Sequence, residues 1–230
     1  MTEDEFWRDF EHIRGEVDKA TQCFYTYLTI HATAGENKEV YRALNRHPSF
    51  WNIQLYSLQS AFFITMGRIF DNGKDAHSVH KLVASALAHP EFFSKEALAR
   101  RKTEGGKTAP DWLDEYISNA FEPKTEHLRT IKKQLAPFRK KFENTCLEIR
   151  NSIFAHTLVK DQEAVTAMFA KTEIVEIEEI LYVLQDLVQT LWQLYHNGRP
   201  LDFGSTSREY KSRVVEETRA AMVSLLLPAI

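Results

Sequence analysis

Apolar residues recur at steps of three and four along almost the whole chain, the pattern of helices with one buried face. The first stripe is Phe6, Phe10, Ile13, Val17, Ala20, Phe24, Tyr27 and Leu28. Thr2 and Glu5 stand ahead of it at capping-box spacing, so a long helix is expected to about Ala34, ended by Ala34-Gly35-Glu36-Asn37. A short helix follows to about Asn45. Pro48 suits the first turn of the next, residues 49–70. From Ala61 to Phe70 that helix is apolar nearly all round, which makes it central and buried. Asp71-Asn72-Gly73 closes it.

Short helices are expected over residues 76–122, on either side of a loop at 102–107. Pro123 opens a long helix to about Ser152, kinked or split at Pro137. Residues 157–171 form a connection without a clear period. Ile174, Ile177, Ile180, Leu181, Leu184, Val188, Leu191 and Tyr195 then make another stripe, closed by Gly198-Arg199-Pro200. A last helix spans about 207–226, and its apolar end at 223–227 needs a covering surface. No stretch alternates as a strand does. The expectation is an all-α fold: a helical domain over 1–200, with a C-terminal helix in 201–230 packing on that domain or on a dimer partner.

Composition narrows the picture. Hydrophobic residues are 43% and charged residues 27% of 230, with 15 Phe, 8 Tyr and 4 Trp, so the chain can bury a core and is not disordered. The net charge of −3 excludes a histone-like binder, but it is unevenly spread. Residues 127–141 hold Arg129, Lys132, Lys133, Arg139, Lys140 and Lys141 and no acid, whereas 173–186 hold five acids and no base. Cys23 and Cys146 give neither a disulfide framework nor a four-ligand zinc site. The acidic start Met-Thr-Glu-Asp-Glu is the reverse of a signal peptide, and no uncharged apolar run nears the ~20 residues that span a bilayer. A cytoplasmic protein without membrane contact is expected.

Chemistry concentrates in Glu148-Ile149-Arg150-Asn151-Ser152-Ile153-Phe154-Ala155-His156. Arginine grips phosphate bidentately and stays charged, histidine exchanges a proton near neutral pH, and asparagine orients either partner. On an unbroken α-helix Arg150 and His156 would lie about 9 Å apart along the axis and not quite on one face. A break near Ser152 would let them converge. No phosphate-cradling Gly loop and no Gly-x-Ser-x-Gly elbow is present. His77 and His80 have metal-compatible spacing but lack further ligands, so a solvated first turn is the expectation for them, with no metal and no cofactor.

The stretch Arg150-Asn151-x-x-x-x-His156, late in an all-helical chain, resembles the signature of the HEPN domain family. Ala61-Phe62-Phe63-Ile64-Thr65-Met66-Gly67-Arg68-Ile69-Phe70-Asp71 resembles its abortive-infection, AbiU-type branch. The resemblance implies a HEPN-type helical bundle with extra short helices and a metal-independent endoribonuclease, serving as a toxin or phage-defence effector. The ribose 2′-OH attacks the adjacent phosphate, with His156 as general acid or base, Arg150 stabilising charge and Asn151 positioning. It also implies a homodimer with a composite site, RNA as substrate and an antitoxin protein as a further partner. Family members silenced by nucleotidylation carry a Tyr two residues after the motif histidine. Here Thr157 and Leu158 follow, which puts that control in doubt.

Other readings stand beside this one. The chain can instead be a non-catalytic HEPN module binding a nucleotide or a protein, or Arg150 and His156 can be satisfied within a core. Arg68, three before Asp71, either caps its helix by an ion pair or reaches the Arg150 cleft as a second phosphate contact. Lys132, Lys133, Lys140 and Lys141 either track an RNA backbone or form an ordinary solvated face.

Overall fold

The capping box forms as the spacing requires: the Thr2 N–H donates to Glu5 Oε2 at 2.7 Å, and the Glu5 N–H donates to Thr2 Oγ1 at 3.2 Å. The computed structural model describes residues 1–74, 76–103, 109–155, 161–170, 172–200 and 209–226. Their regular elements are all helical. The first three are α1 (Glu3–Glu36), α2 (Lys38–Leu44) and α3 (Pro48–Ile69). Next come α4 (Val79–Ala88), a 3-10 turn (Pro90–Phe93), α5 (Lys95–Thr103), α6 (Leu113–Asn119) and α7 (Thr125–Thr145). The last are α8 (Leu147–Ile149), a π-helical turn (Arg150–Ala155), α9 (Gln162–Ala170), α10 (Ile174–Asn197) and α11 (Glu209–Ser224). The fold is all-α.

One boundary differs from expectation. α7 runs through Pro137 without a break and ends instead at Thr145. A proline removes the hydrogen bond to the carbonyl four residues back, here Lys133. Pro137 and Lys133 are both exposed, so water can take that carbonyl. The interruption falls at Cys146, buried and at φ −109°, ψ −30°.

The described residues fall into two compact units. One comprises Met1–Gly15, Arg68–Glu143 and Ile174–Thr206. Its core is aromatic: Phe6 lies 5.7 Å from Phe92 and 5.5 Å from Phe93, and Trp7 stacks on Tyr195 at 4.6 Å. Glu3 pairs with Arg100 and Arg101, and Arg101 covers the Tyr195 ring at 3.8 Å. α10 ends at Gly198, whose φ of +54° favours glycine; a Cβ there would also stand 2.7 Å from the Ala120 Cβ.

The other unit comprises Glu16–Gly67, Asn144–Glu173 and Ser207–Ile230. Here α3 is buried from Phe62 to Gly67 except Ile64, while Phe50, Ile53 and Tyr56 at its start are exposed. α11 packs along α1. Gln22 Nε2 donates to Tyr210 Oη at 2.7 Å, Lys211 lies over the Tyr25 ring at 4.9 Å, and Met222 joins Ile30 and Val40.

Burial lowers the pKa of His31, His80 and His196 below the usual histidine value; at His80, Arg139 and Lys132 add to the effect and Glu143 opposes it. The folded state therefore resists protons that the unfolded chain accepts below about pH 6.5. Stability is fully present above that value and declines as pH falls through the lowered folded-state values. The urea midpoint should be lower at pH 5 than at pH 7.5, and His80→Gln should flatten the difference. Equal midpoints in the native protein would refute this coupling.

Candidate active site

The polar motif begins where α-helical winding stops. After Cys146 the chain makes one short α-turn and then widens into a π-helix from Arg150 to Ala155. The buried Cys146 and Ile149 anchor it, and the Arg150 N–H donates to the Cys146 carbonyl at 2.9 Å. Local π-turns are rare and concentrate at functional sites. The helix thus neither continues as α nor breaks at Ser152. It widens, bringing residues four and five apart onto one face.

That face lies against α3. The Arg150 side chain crosses Gly67 so closely that a Cβ there would be 2.7 Å from Nε, 3.2 Å from Cδ and 3.3 Å from Cγ. Four residues on, Phe154 stacks on Phe63, with ring centroids 5.2 Å apart and planes at 12°. Phe63 is four residues before Gly67, so the two contacts match and the turn runs antiparallel to α3. Phe169 of α9 meets both rings edge-on, at 5.9 Å from Phe63 and 6.4 Å from Phe154.

The guanidinium is held at one nitrogen: Arg150 Nη1 donates to Asn151 Oδ1 at 2.7 Å. Its Nε–H is buried without an acceptor among the described residues. Such an orphan donor is costly, about 1–3 kcal/mol, and is uncommon in native proteins. The arrangement pre-orients a permanent cation and leaves part of its donor set for an anion. His156, the third member of the motif, lies outside the described residues, as do Thr157 and Leu158.

A sequence model of the AbiU2 branch of the HEPN domains matches residues 3–214. The chain belongs to this family. No curated protein and no solved structure matches it.

Within this HEPN chain, the structure brings Arg150 and Asn151 together. Arg68 is exposed near the end of α3, and the Asp71 carboxylate accepts the Gly73 N–H at 2.7 Å, turning the chain. Arg129, Lys132, Lys133 and Lys140 are exposed along one face of α7 and pair with no acid among the described residues. Lys141 differs, since it is ion-paired with Glu179, and Arg139 pairs with Glu143 at 2.9 Å. The basic face is therefore smaller than its sequence suggests. Part of the acidic run on α10 neutralises it.

The expectation for the two histidines needs correction. His77 is solvated and contacts Asp9 through Nδ1 at 2.9 Å, but His80 is half-buried against Phe70, its Nε2 without a partner among the described residues. The period of α4 explains the difference: His80 lies between the buried Val79 and Leu82. Among the described residues no three His, Cys, Asp or Glu side chains converge as a metal site.

Sequence reasoning missed Gly67 as a site residue. The available signal was a lone glycine inside a helix, in its most apolar stretch, which costs about 1 kcal/mol against alanine and therefore calls for a packing or functional reason. The reason is Arg150.

Proposed function

We propose that this HEPN protein is an endoribonuclease that cleaves RNA by attack of a ribose 2′-OH on its own phosphate, leaving a cyclic 2′,3′-phosphate and a 5′-OH. The observation that carries the reading is Arg150, laid over Gly67, held by Asn151 and left with a buried Nε–H that has no acceptor among the described residues. Arg150 stabilises charge building on the phosphorus oxygens, Asn151 holds the guanidinium, and His156 moves the proton. The family supports a nuclease role in abortive infection. The chemistry needs no metal ion, because the nucleophile is already part of the substrate. Purified protein should cleave RNA in excess EDTA and give cyclic phosphate ends. Activity abolished by EDTA and restored by Mg²⁺, or products bearing 5′-phosphates, would overturn this mechanism. An intact protein with no activity would favour the non-catalytic module.

The working form is a homodimer, as HEPN domains often are, with the two motif turns forming one composite site. The exposed apolar end of α11 supports this: Val223, Leu225 and Leu226 are 49%, 39% and 39% exposed, and Leu225 lines a groove of about 500 Å³ with Phe50 and Trp51. Light scattering should give about twice 26.7 kDa. Mixing Arg150→Ala and His156→Ala chains should restore part of the activity. A monomer at micromolar concentration that cleaves RNA would refute the arrangement.

The α7 face contributes affinity. Changing Lys132, Lys133 and Lys140 to Gln should reduce the slope of log affinity against log salt by about 2 to 3, near 0.7–0.9 per lost phosphate contact. Changing Lys141, already paired with Glu179, should alter it less. Single-turnover cleavage at saturating RNA should hardly change. An unaltered slope would assign these lysines to a solvated face.

A further inference from the structure

We infer that the site takes unpaired RNA, with Tyr56 as the platform on which a base a few nucleotides from the scissile phosphate stacks; this rests on the ribonuclease reading above. Tyr56 is 51% exposed, and its ring centroid lies 5.8 Å from that of Phe154. Phe154 belongs to the same π-turn as Arg150 and stacks on the buried Phe63. Tyr56 is thus the solvent end of a run of rings that leads back to the arginine.

Helical register strengthens the connection. Tyr56, Phe63 and Gly67 are seven and four residues apart on α3, so all three lie on one face. Tyr56 and the seat of Arg150 are separated by about 16 Å at 1.5 Å per residue. Arg150 reaches back along this face through Phe154, and an RNA strand following it meets a cation first and an exposed aromatic ring next. A phenol ring with one wet side suits a nucleobase, whose π-face is hidden in a duplex and available in a loop or single strand. Stacking is indifferent to base identity, so the preference is for unpaired structure more than for sequence. The phenolic OH is not required, because the contact is made by the ring.

The test uses the full chain and a 2′-O-methyl RNA, which cannot undergo 2′-OH attack, presented as a single strand and as the stem of a hairpin. Tyr56→Ala should weaken single-strand binding roughly 5- to 150-fold, the range expected for one stacked base, with stem binding unchanged. Tyr56→Phe should stay within about 2-fold of the native protein, as the ring is the contact. Ile53→Ala, one turn earlier and also exposed, should bind like the native protein. Equal weakening by Tyr56→Ala for strand and stem, or no weakening, overturns the platform while leaving Arg150-dependent cleavage standing. A Tyr56→Ala protein whose mass in light scattering is halved assigns the ring to a protein interface and also overturns it. Absence of binding to either RNA by the native chain overturns both readings together.

Discussion

Alanine in place of His156 should lower single-turnover cleavage about 10²- to 10⁴-fold, the usual contribution of one general acid or base. Alanine in place of Arg150 should lower it about 10²- to 10³-fold, the usual loss of one donor to a charge-building oxygen. The two act as a unit on one transition state. The imidazole moves the proton between the 2′-OH and the leaving oxygen, and the guanidinium meets charge on the non-bridging oxygens. The double variant should therefore fall well short of the product of the single losses. Stability gives the control. Arg150 is half-buried and its Nε–H has no acceptor among the described residues, so its removal takes away a poorly satisfied charge, and circular dichroism should be unchanged. Cleavage equal to native in both single variants would remove the catalytic reading. Unfolding of both would make Arg150 and His156 core residues instead.

Gly67→Ala separates position from stability. Alanine favours a helix over glycine by about 1 kcal/mol, so α3 itself gains. The new methyl, however, would sit 2.7 Å from Arg150 Nε and within 3.3 Å of its Cδ and Cγ. Those atoms belong to a side chain and not to backbone, so the conflict resolves by moving Arg150 off its seat. The expected result is a fold as stable as native or up to about 1 kcal/mol more stable, with cleavage reduced about 10²-fold, as for a reacting group displaced by roughly 1 Å. Binding of RNA through the α7 lysines should persist. Full activity in Gly67→Ala would show that the seat of Arg150 does not matter to function.

The helices were legible in the sequence because burial of one face imposes a period near 3.6 on apolar residues wherever the helix packs. That condition holds for Phe6 through Phe24, for Phe62 through Phe70 and for Ile177 through Tyr195, all of which the structure buries at most positions. The capping box and Gly198 were equally readable, since each answers to backbone geometry within a few residues. Arg150 and Asn151 were found by residue chemistry and family resemblance, not by period.

What the sequence could not supply depended on atoms distant along the chain. Pro137 looks like a break until its exposure shows that water can serve the freed carbonyl. Lys141 looks like part of a basic face until α10 brings Glu179 to it. His80 looks as solvated as His77 until Phe70 covers it. Gly67 and Tyr56 carry no chemistry of their own. They come to stand beside the motif only because residues 150–154 fold back on α3 as a π-turn, and neither the widening nor the pairing of Arg150 with Gly67 and Phe154 with Phe63 has a local sequence signal. Local periodicity determined which segments are helices; packing between segments far apart in sequence decided which side chains stand together at the site.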